Sequence, residues 1–423
     1  MIPLLSLSAA LACAAPAPAR EPTGWWTGSI QFGPQAVVAE GWLETAQGAV
    51  QARLSFPALG LMNLDFVDQQ DPEALSLSWA GDHGSVRLKG DLEDESWSGV
   101  WDWGPASGSF ELRRTASTPP YDEVPVRIAS GGVELAATVL IPSGEGPFPG
   151  IVWAHGSGGI GRRSLNYVRE AYTLAGAGFA SVIYDKRGVG DSSGNWLEAS
   201  FEDLAVDASA ARAVLAQQAR VDASRVGVGG ISQGSSWIAP YACSIDDGFA
   251  FIVAISATAV TPTEQHLWVV RRRLENAGHG QDIVEKALQL HRRIDEWHRG
   301  IETEGLEAEL VEAADTAWFA TALIPPPPLA PLSEWARSWM WFDALPIWRE
   351  LELPVFCAWG ARDDIVHAER SASMLRELLG PGSETHVFPG ADHVLHLADV
   401  PPPAPVAPGF HDALVSWLRR TLR

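Results

Sequence analysis

The sequence predicts an α/β protein with a largely parallel, doubly covered sheet, preceded by a small all-β domain. Three observations carry that expectation. Residues 24–115 hold only short alternating runs separated by Gly, Asp, Pro and Asn, a period-two pattern with close turns. From residue 124 onward, apolar strand-like runs alternate with amphipathic helical stretches. The chain has 423 residues, of which 46% are hydrophobic and 19% charged; this fills a large core, excludes disorder and suits roughly two to three domains.

The first twenty residues read M-I-P-L-L-S-L-S-A-A-L-A-C-A-A-P-A-P-A-R. An apolar run with small residues at several cleavage points predicts a secretory signal peptide over 1–20, and so export to the periplasm or beyond. The run is too short to span a bilayer. Ala10-Leu11-Ala12-Cys13 loosely resembles a lipoprotein box, which makes a lipid anchor at Cys13 the minor alternative. No later segment is long and apolar enough to span.

Residues 22–116 are expected to form a β-sandwich or small barrel. The candidate strands are Trp26–Phe32, Ala36–Leu43, Ala49–Phe56, Ala74–Trp79, Gly84–Leu88, Trp97–Trp103 and Ser109–Leu112. Seven of the 19 Trp residues fall here, and core filling with cross-strand pairing accounts for them better than a ligand platform does. Binding a polymer, shaping a pocket rim and joining two chains in a homodimer are the roles open to this domain.

A polar link, Thr115–Glu123, leads into the α/β domain over 122–423. Val124–Ile128 and Val133–Ile141 read as a leading hairpin. Gly150–His155, Ala180–Asp185, Arg225–Ser232, Phe249–Ser256, Pro354–Trp359 and Thr385–Phe388 read as further strands. Helices are expected near Leu165–Ala175, over Phe201–Gln217, after Ser232 and over His411–Leu422. Between Thr258 and Arg349 there is no convincing strand. Ile283, Ala287, Leu290, Ile294 and Trp297 recur at helical spacing, as do Leu306, Leu310, Ala313 and Ala317. Four prolines, Pro325 to Pro328, then interrupt any helix, and Trp335, Trp339, Trp341 and Phe342 follow. The stretch 258–349 is expected to be a helical cap, its late aromatics facing a substrate.

Charge and cysteine content narrow the partners. Thirty basic against 52 acidic residues leave a formal net charge of −22, which repels nucleic acid and anionic membrane surfaces. Cys243 and Cys357 lie in apolar stretches and read as small buried hydrophobes; neither they nor Cys13 lie at zinc-ligand spacing.

In an open parallel sheet, chemistry collects at the C-terminal ends of the strands. The run Arg225–Gly230 ends in Gly230-Ile231-Ser232-Gln233-Gly234, a G-x-S-x-G turn that lifts a serine hydroxyl clear of the sheet. A second match, Gly190-Asp191-Ser192-Ser193-Gly194, lacks the following helix, so Ser192 reads as a loop residue. A serine needs a base that is itself oriented by an acid. Pro354–Trp359 leads into Gly360-Ala361-Arg362-Asp363-Asp364, and Thr385–Phe388 into Pro389-Gly390-Ala391-Asp392-His393. The candidate triad is Ser232, Asp363 and His393, with Asp364 as rival acid and His386 and His396 as rival bases. Backbone N–H groups must hold the oxyanion; that of Gln233 is one candidate, and the loop His155-Gly156-Ser157-Gly158-Gly159 supplies the other, Ser157 or alternatively Gly156.

These motifs, with Asp185-Lys186-Arg187-Gly188-Val189-Gly190 and Trp237-Ile238-Ala239-Pro240, resemble the α/β-hydrolase superfamily. The resemblance is greatest to bacterial, often exported serine esterases in which a small N-terminal β domain opens with a strand like Trp26-Thr27-Gly28. It implies a mainly parallel hydrolase sheet with a cap, and places Asp185 and Arg187 in a structural loop. Ser235 departs from the pattern, since many such proteins carry a second glycine there. The expected function is hydrolysis of short- to medium-chain carboxylic esters, a small-molecule substrate class, without metal or organic cofactor. An acyl-CoA thioesterase, using Arg271-Arg272-Arg273 for the CoA phosphates, and a serine peptidase of the same fold are the alternatives; a non-catalytic binding protein ranks last.

Overall fold

The computed structural model describes residues 22–32, 35–71, 73–81, 84–116, 119–301, 303–400 and 404–423. The expected signal peptide and Cys13 lie outside the described residues. The chain forms two compact units. The first runs to Ser55 and resumes at Asn63, ending before Pro119; the second comprises Phe56–Met62 and Pro119–Arg423.

The N-terminal strands are β1 (Gly24–Phe32), β2 (Gln35–Ala46), β3 (Ala49–Phe56), β4 (Leu61–Asp68), β5 (Leu75–Gly81), β6 (Gly84–Leu92), β7 (Ser96–Trp103) and β8 (Ala106–Thr115). They pair in chain order and β1 closes antiparallel on β8, so the open choice between sandwich and barrel resolves to a closed barrel. Closure leaves no unpaired edge. Trp26, Leu43, Leu54, Phe66, Trp97 and Phe110 are buried, as the interior of a small barrel requires. Trp97 meets Phe110 edge-on at 4.7 Å between ring centroids, and the Trp101 indole N–H donates to Gln31 O at 3.0 Å. Core filling therefore explains these tryptophans. Strand β4 went unanticipated because Asn63, Asp65 and Asp68 are poor strand formers. Asn63 and Asp65 belong to the outward row, where Asp65 pairs with Arg53 at 2.7 Å, while Leu64 and Phe66 point inward; Asp68 ends the strand.

The second unit holds β9 (Tyr121–Ser130), β10 (Val133–Pro142), β11 (Phe148–Ala154), β12 (Ala180–Tyr184), β13 (Val221–Ile231), β14 (Ile252–Ile255), β15 (Val355–Gly360) and β16 (Glu384–Phe388). Their spatial order is β16-β15-β14-β13-β11-β12-β10-β9. The β9–β10 hairpin turns on Gly131 and Gly132, with φ of 50° and 83°, the left-handed pair that a tight two-residue hairpin needs. β10 runs antiparallel to β12, and β11 to β16 run parallel. From β11 the chain moves outward to β12, then returns to place β13 on the other side. That reversal opens a crevice at the C-terminal ends of β11 and β13.

Helices α1 (Leu165–Gly176), α2 (Phe201–Ala216), α3 (Ala239–Ile245), α4 (Pro262–Asn276), α5 (Gln281–His298), α6 (Leu306–Ala314), α7 (Glu334–Met340), α8 (Leu345–Glu350), α9 (Ala368–Leu378) and α10 (Phe410–Thr421) complete the unit. Alternate residues of β11 enter two cores: Val152 joins the one with α2, and Ile151 and Trp153 the one with α1 and α10. The sheet is thus covered on both faces, as the unbroken apolar strands predicted. Cys243 and Cys357 are buried, and burial pushes both thiols up. Helices α4 to α8 form the insertion between β14 and β15. Val270, Ala287, Leu290, Ile294 and Leu310 share a separate core. Ala317 drops off its stripe because α6 ends at Ala314. No described helix is long and apolar enough to cross a membrane.

Helix α1 buries Arg169 and Glu170 completely. Arg169 Nε donates to Glu170 Oε1 at 2.6 Å, and His411 on α10 lies 3.0 Å from the other oxygen. Burial alone would raise the Glu170 pKa, but Arg169 and His411 overcome it and hold the carboxyl down, to about 2. Glu170→Gln therefore leaves a buried guanidinium without its counter-charge and should cost about 3–5 kcal/mol at pH 7. A carboxylate with a depressed folded pKa contributes stability above its ordinary pKa of 4.5 and loses it as pH falls toward 2. Urea unfolding of wild type and variant should therefore differ at pH 7 and converge at pH 2.

Candidate active site

Strand β13 ends in a turn built around Ser232, whose φ is 58°, a left-handed conformation that non-glycine residues seldom adopt. Ser232 N–H donates to Ile255 O at 2.9 Å. The Ser232 carbonyl accepts from the N–H groups of Ser235 and Ser236 at 3.1 and 2.8 Å, and from their hydroxyls at 2.9 and 2.7 Å. Gly230 and Gly234 flank the turn because a Cβ at either would meet backbone: that of Gly234 and Ser235 in one case, and that of Ala154 and His155 in the other. The following turn, Gly234–Ile238, is a π-helix, and the α-helix begins only at Ala239. Pro240 has no N–H for the Ser236 carbonyl; the Trp348 indole donates there instead, at 3.2 Å. Ser235, which departs from the usual glycine, uses its side chain here: its hydroxyl also donates to Ile255 O at 2.7 Å.

Asp363 and His393 come together. Asp363 Oδ2 lies 2.8 Å from His393 Nδ1, while Oδ1 accepts from the Ile365 and Val366 N–H groups at 2.8 Å each. The carboxylate is fully buried and the imidazole nearly so, at 0% and 16% side-chain exposure. Three donors fix the carboxylate, and a proton on Nδ1 leaves Nε2 with its lone pair. Ser256, at the end of β14 with φ of 50°, donates its hydroxyl to His393 O at 2.7 Å. Because β13, β14, β15 and β16 are parallel neighbours, Ser232, Ser256, Asp363 and His393 follow one another along a single edge of the sheet.

The rivals are occupied elsewhere. Asp364 is exposed and pairs with Arg272 at 3.1 Å. His386 bonds Glu384 at 3.1 Å and stacks on Phe356, and His396 lies 3.0 Å from Arg169. Ser192 accepts from Ala136 N at 2.9 Å and donates to Asp185 O at 2.7 Å, a loop role.

The loop after β11 distinguishes its two oxyanion candidates. Gly156 N–H donates to Tyr167 Oη at 2.6 Å and is spent, which removes Gly156 as a donor. Ser157 N–H has no partner among the described residues. His155 is buried edge-on to Tyr167 and Tyr184, and burial, with Lys186 nearby, pushes its pKa down to about 3, so it is neutral. Beneath the loop, Lys186 Nζ donates to Gly156 O at 2.6 Å and Gly158 O at 2.9 Å. Sequence reasoning passed over Lys186, Tyr167 and Ser256. Of the neighbouring residues, Asp185 accepts from the N–H groups of Arg162 and Asp191 at 2.7 and 3.0 Å, and Arg187 bonds Asp207 through two nitrogens at 2.9 and 2.8 Å.

A cavity of about 570 Å³ reaches Ser157, Ser232 and Gln233 and extends beneath the helical insertion. Phe201, Leu204, Trp237, Ile294, Met340 and Ile365 form apolar walls, and Gln265, His266, His291, Asp295 and His298 bring polar groups from α4 and α5. Of the late aromatics, Trp339 lines the cavity. Trp341 donates to Asp295 Oδ1 at 2.6 Å, and Phe342 packs on Phe201 and Tyr241. The Trp335 side chain lies outside the described ones. Arg271 and Arg272 pair with Glu285 and Glu275 at 2.7 and 3.0 Å, and Arg273 Nε donates to Thr321 O at 3.3 Å; the three do not form an open phosphate patch. Among the described residues no cluster of three or more His, Cys, Asp or Glu is placed to hold a metal ion.

Residues 131–394 match the family model of the X-Pro dipeptidyl-peptidase (S15 family). No curated protein matches the chain. Among solved structures, it is similar to the Pyrococcus furiosus esterase Pf2001 at 16% identity, covering 72% of this chain and 95% of that one with a TM-score of 0.46. It is similar to the alpha/beta hydrolase GrgF from Penicillium sp. sh18 at 15% identity, 71% and 99% coverage and a TM-score of 0.47. Est1E from Butyrivibrio proteoclasticus, solved with ferulic acid, is 15% identical, with 70% and 97% coverage and a TM-score of 0.45.

The turn around Ser232 makes a steric prediction. Gly230→Ala places its methyl against backbone that cannot retreat and should cost about 1–3 kcal/mol. Gly380→Ala, where a Cβ meets nothing within 4 Å, should melt within a degree or two of wild type. Thermal unfolding of the two variants side by side checks this.

Proposed function

The chain belongs to the X-Pro dipeptidyl-peptidase (S15) family of α/β hydrolases, and from that premise we propose that it is a serine carboxylesterase acting on short- to medium-chain esters. The observation that carries this reading is the 2.8 Å bond between the buried Asp363 and His393 Nδ1, on the same sheet edge as the left-handed Ser232. Ser232 Oγ attacks the ester carbonyl carbon while its proton passes to His393 Nε2. The resulting oxyanion is held by the N–H groups of Ser157 and Gln233. Collapse breaks the bond to the alkoxy oxygen, which leaves as the alcohol with the proton from His393. Water then repeats the sequence on the acyl-enzyme, releasing the carboxylic acid and restoring Ser232.

The cavity supports an ester over a dipeptidyl substrate. A dipeptidyl peptidase must hold a free α-ammonium near the scissile bond, and a buried ammonium needs a counter-anion. Asp295 is the one carboxylate among the described lining residues. Its oxygens are already taken by Trp341 Nε1 at 2.6 Å and Arg299 Nε at 2.8 Å. The apolar walls suit an acyl chain or an uncharged ring.

Hydrolysis of a p-nitrophenyl ester series from acetate to palmitate, beside Ala-Pro-p-nitroanilide, tests the proposal. The expected result is preference for the shorter esters, with kcat falling about 10⁴-fold or more in Ser232→Ala and in Asp363→Asn. Activity that survives Ser232→Ala overturns the assigned nucleophile. A higher kcat/KM on the anilide than on every ester moves the substrate class to peptides.

A further inference from the structure

We infer that Lys186 is a positioning residue for the oxyanion hole: by gripping the carbonyl of the Gly156–Ser157 peptide it aims the Ser157 N–H at the reacting carbonyl. This rests on the acyl-transfer reading of Ser232 given above. A trans peptide is planar, with C=O and N–H pointing in opposite directions. Lys186 Nζ donates to Gly156 O at 2.6 Å, the carbonyl of the same peptide unit that carries the Ser157 N–H. Holding the oxygen on the Lys186 side therefore sets the N–H on the opposite side. The second bond, to Gly158 O at 2.9 Å, holds the Gly158–Gly159 peptide, so the loop is pinned on both sides of the Ser157–Gly158 unit. Tyr167 holds the preceding N–H, that of Gly156, at 2.6 Å. Three of the four peptide units from His155 to Gly159 are thereby held, and Ser157 is left with its donor uncommitted.

Charge adds to the geometry. A cationic donor on a peptide oxygen draws electron density from the nitrogen and strengthens the N–H as a donor. Lys186 is buried, with 1% of its surface exposed. Burial pushes its pKa down to about 8, against the opposing pull of Asp207. The ionisable groups around it leave it as the one that titrates near that pH. His155, on the loop after β11, is neutral far below it, the Tyr167 and Tyr184 hydroxyls are pushed up, and Asp207 on α2 is paired with Arg187. Trp196 presents its ring to the ammonium at 5.7 Å.

The test compares Lys186→Met and Lys186→Arg with wild type, using p-nitrophenyl acetate turnover and the rate at which a fluorophosphonate probe labels Ser232. In Lys186→Met, kcat and the labelling rate should fall together by about 10- to 100-fold, with KM within about twofold. Lys186→Arg should recover most of the loss. Wild-type labelling should decline above about pH 8, and that decline should move beyond the accessible range in Lys186→Arg, because arginine stays protonated. A folded Lys186→Met with kcat within about threefold of wild type overturns the inference. If that variant does not fold, an alkaline decline unchanged in Lys186→Arg overturns it. A wild type that labels at Ser232 but cleaves no ester refutes the substrate class alone, and labelling still decides the role of Lys186.

Discussion

The left-handed backbone of Ser232 is the constraint from which the rest of the site follows. A serine at φ of 58° costs on the order of 1–3 kcal/mol and persists only where its surroundings over-determine it. Here one carbonyl collects four donors, two N–H and two hydroxyl, from Ser235 and Ser236. The serine pair after the turn therefore compensates for the strain, and the wider π-turn lets both residues reach the same oxygen. The space these contacts need excludes side chains at positions 230 and 234. Pro240, by withholding an N–H, opens the Ser236 carbonyl to Trp348 on α8, which ties the end of the insertion to the turn.

A second layer of buried charge supports the loop opposite. Asp185, Lys186 and Arg187 are consecutive and all buried, an arrangement that would be costly if any were unpaired. Each faces a different partner: Asp185 takes the Arg162 and Asp191 N–H groups, Arg187 takes Asp207, and Lys186 takes two carbonyls of the loop after β11. The three therefore brace the loop after β12, the helix α2 and the loop after β11 from one short segment. Asp185 and Arg187 are architectural, as the resemblance implied, while the lysine between them turns that architecture toward the site.

The division into barrel and doubly covered sheet was legible because period-two and strand–helix patterns are local. The neighbouring positions of Asp363 and His393 were legible too, since each follows a parallel strand and the C-terminal ends of such strands share an edge. What escaped notice acts across the chain. Tyr167 decides between Gly156 and Ser157 from a helix that carries no motif, and Ser256 reaches His393 from a different strand. Strand β4 was hidden by outward Asn and Asp residues whose side chains serve neighbouring strands. Helix α4 had a usable signal: Thr261 and Glu264 form a capping box ahead of Val270 and Leu274, and Thr-x-x-Glu before an apolar stripe marks a helix start.

The insertion separates selection from chemistry. Helices α4 to α6 share a core of their own, whereas Ala344 and Trp348, beside and on α8, join the core of the sheet. It is therefore the first three helices whose residues can vary without disturbing the strand ends that hold Ser232, Asp363 and His393. The cavity draws its apolar wall from both parts, Phe201 and Trp237 from the sheet side and Ile294 and Met340 from the insertion, but its polar histidines, His266, His291 and His298, come from α4 and α5 alone. His291 is already committed through Nε2 to Ala322 O at 2.7 Å, which orients its ring. The insertion's α4 and α5 thus supply the side chains that differ most in chemistry from the apolar wall, while Ser232, Asp363 and His393 all sit on the sheet edge.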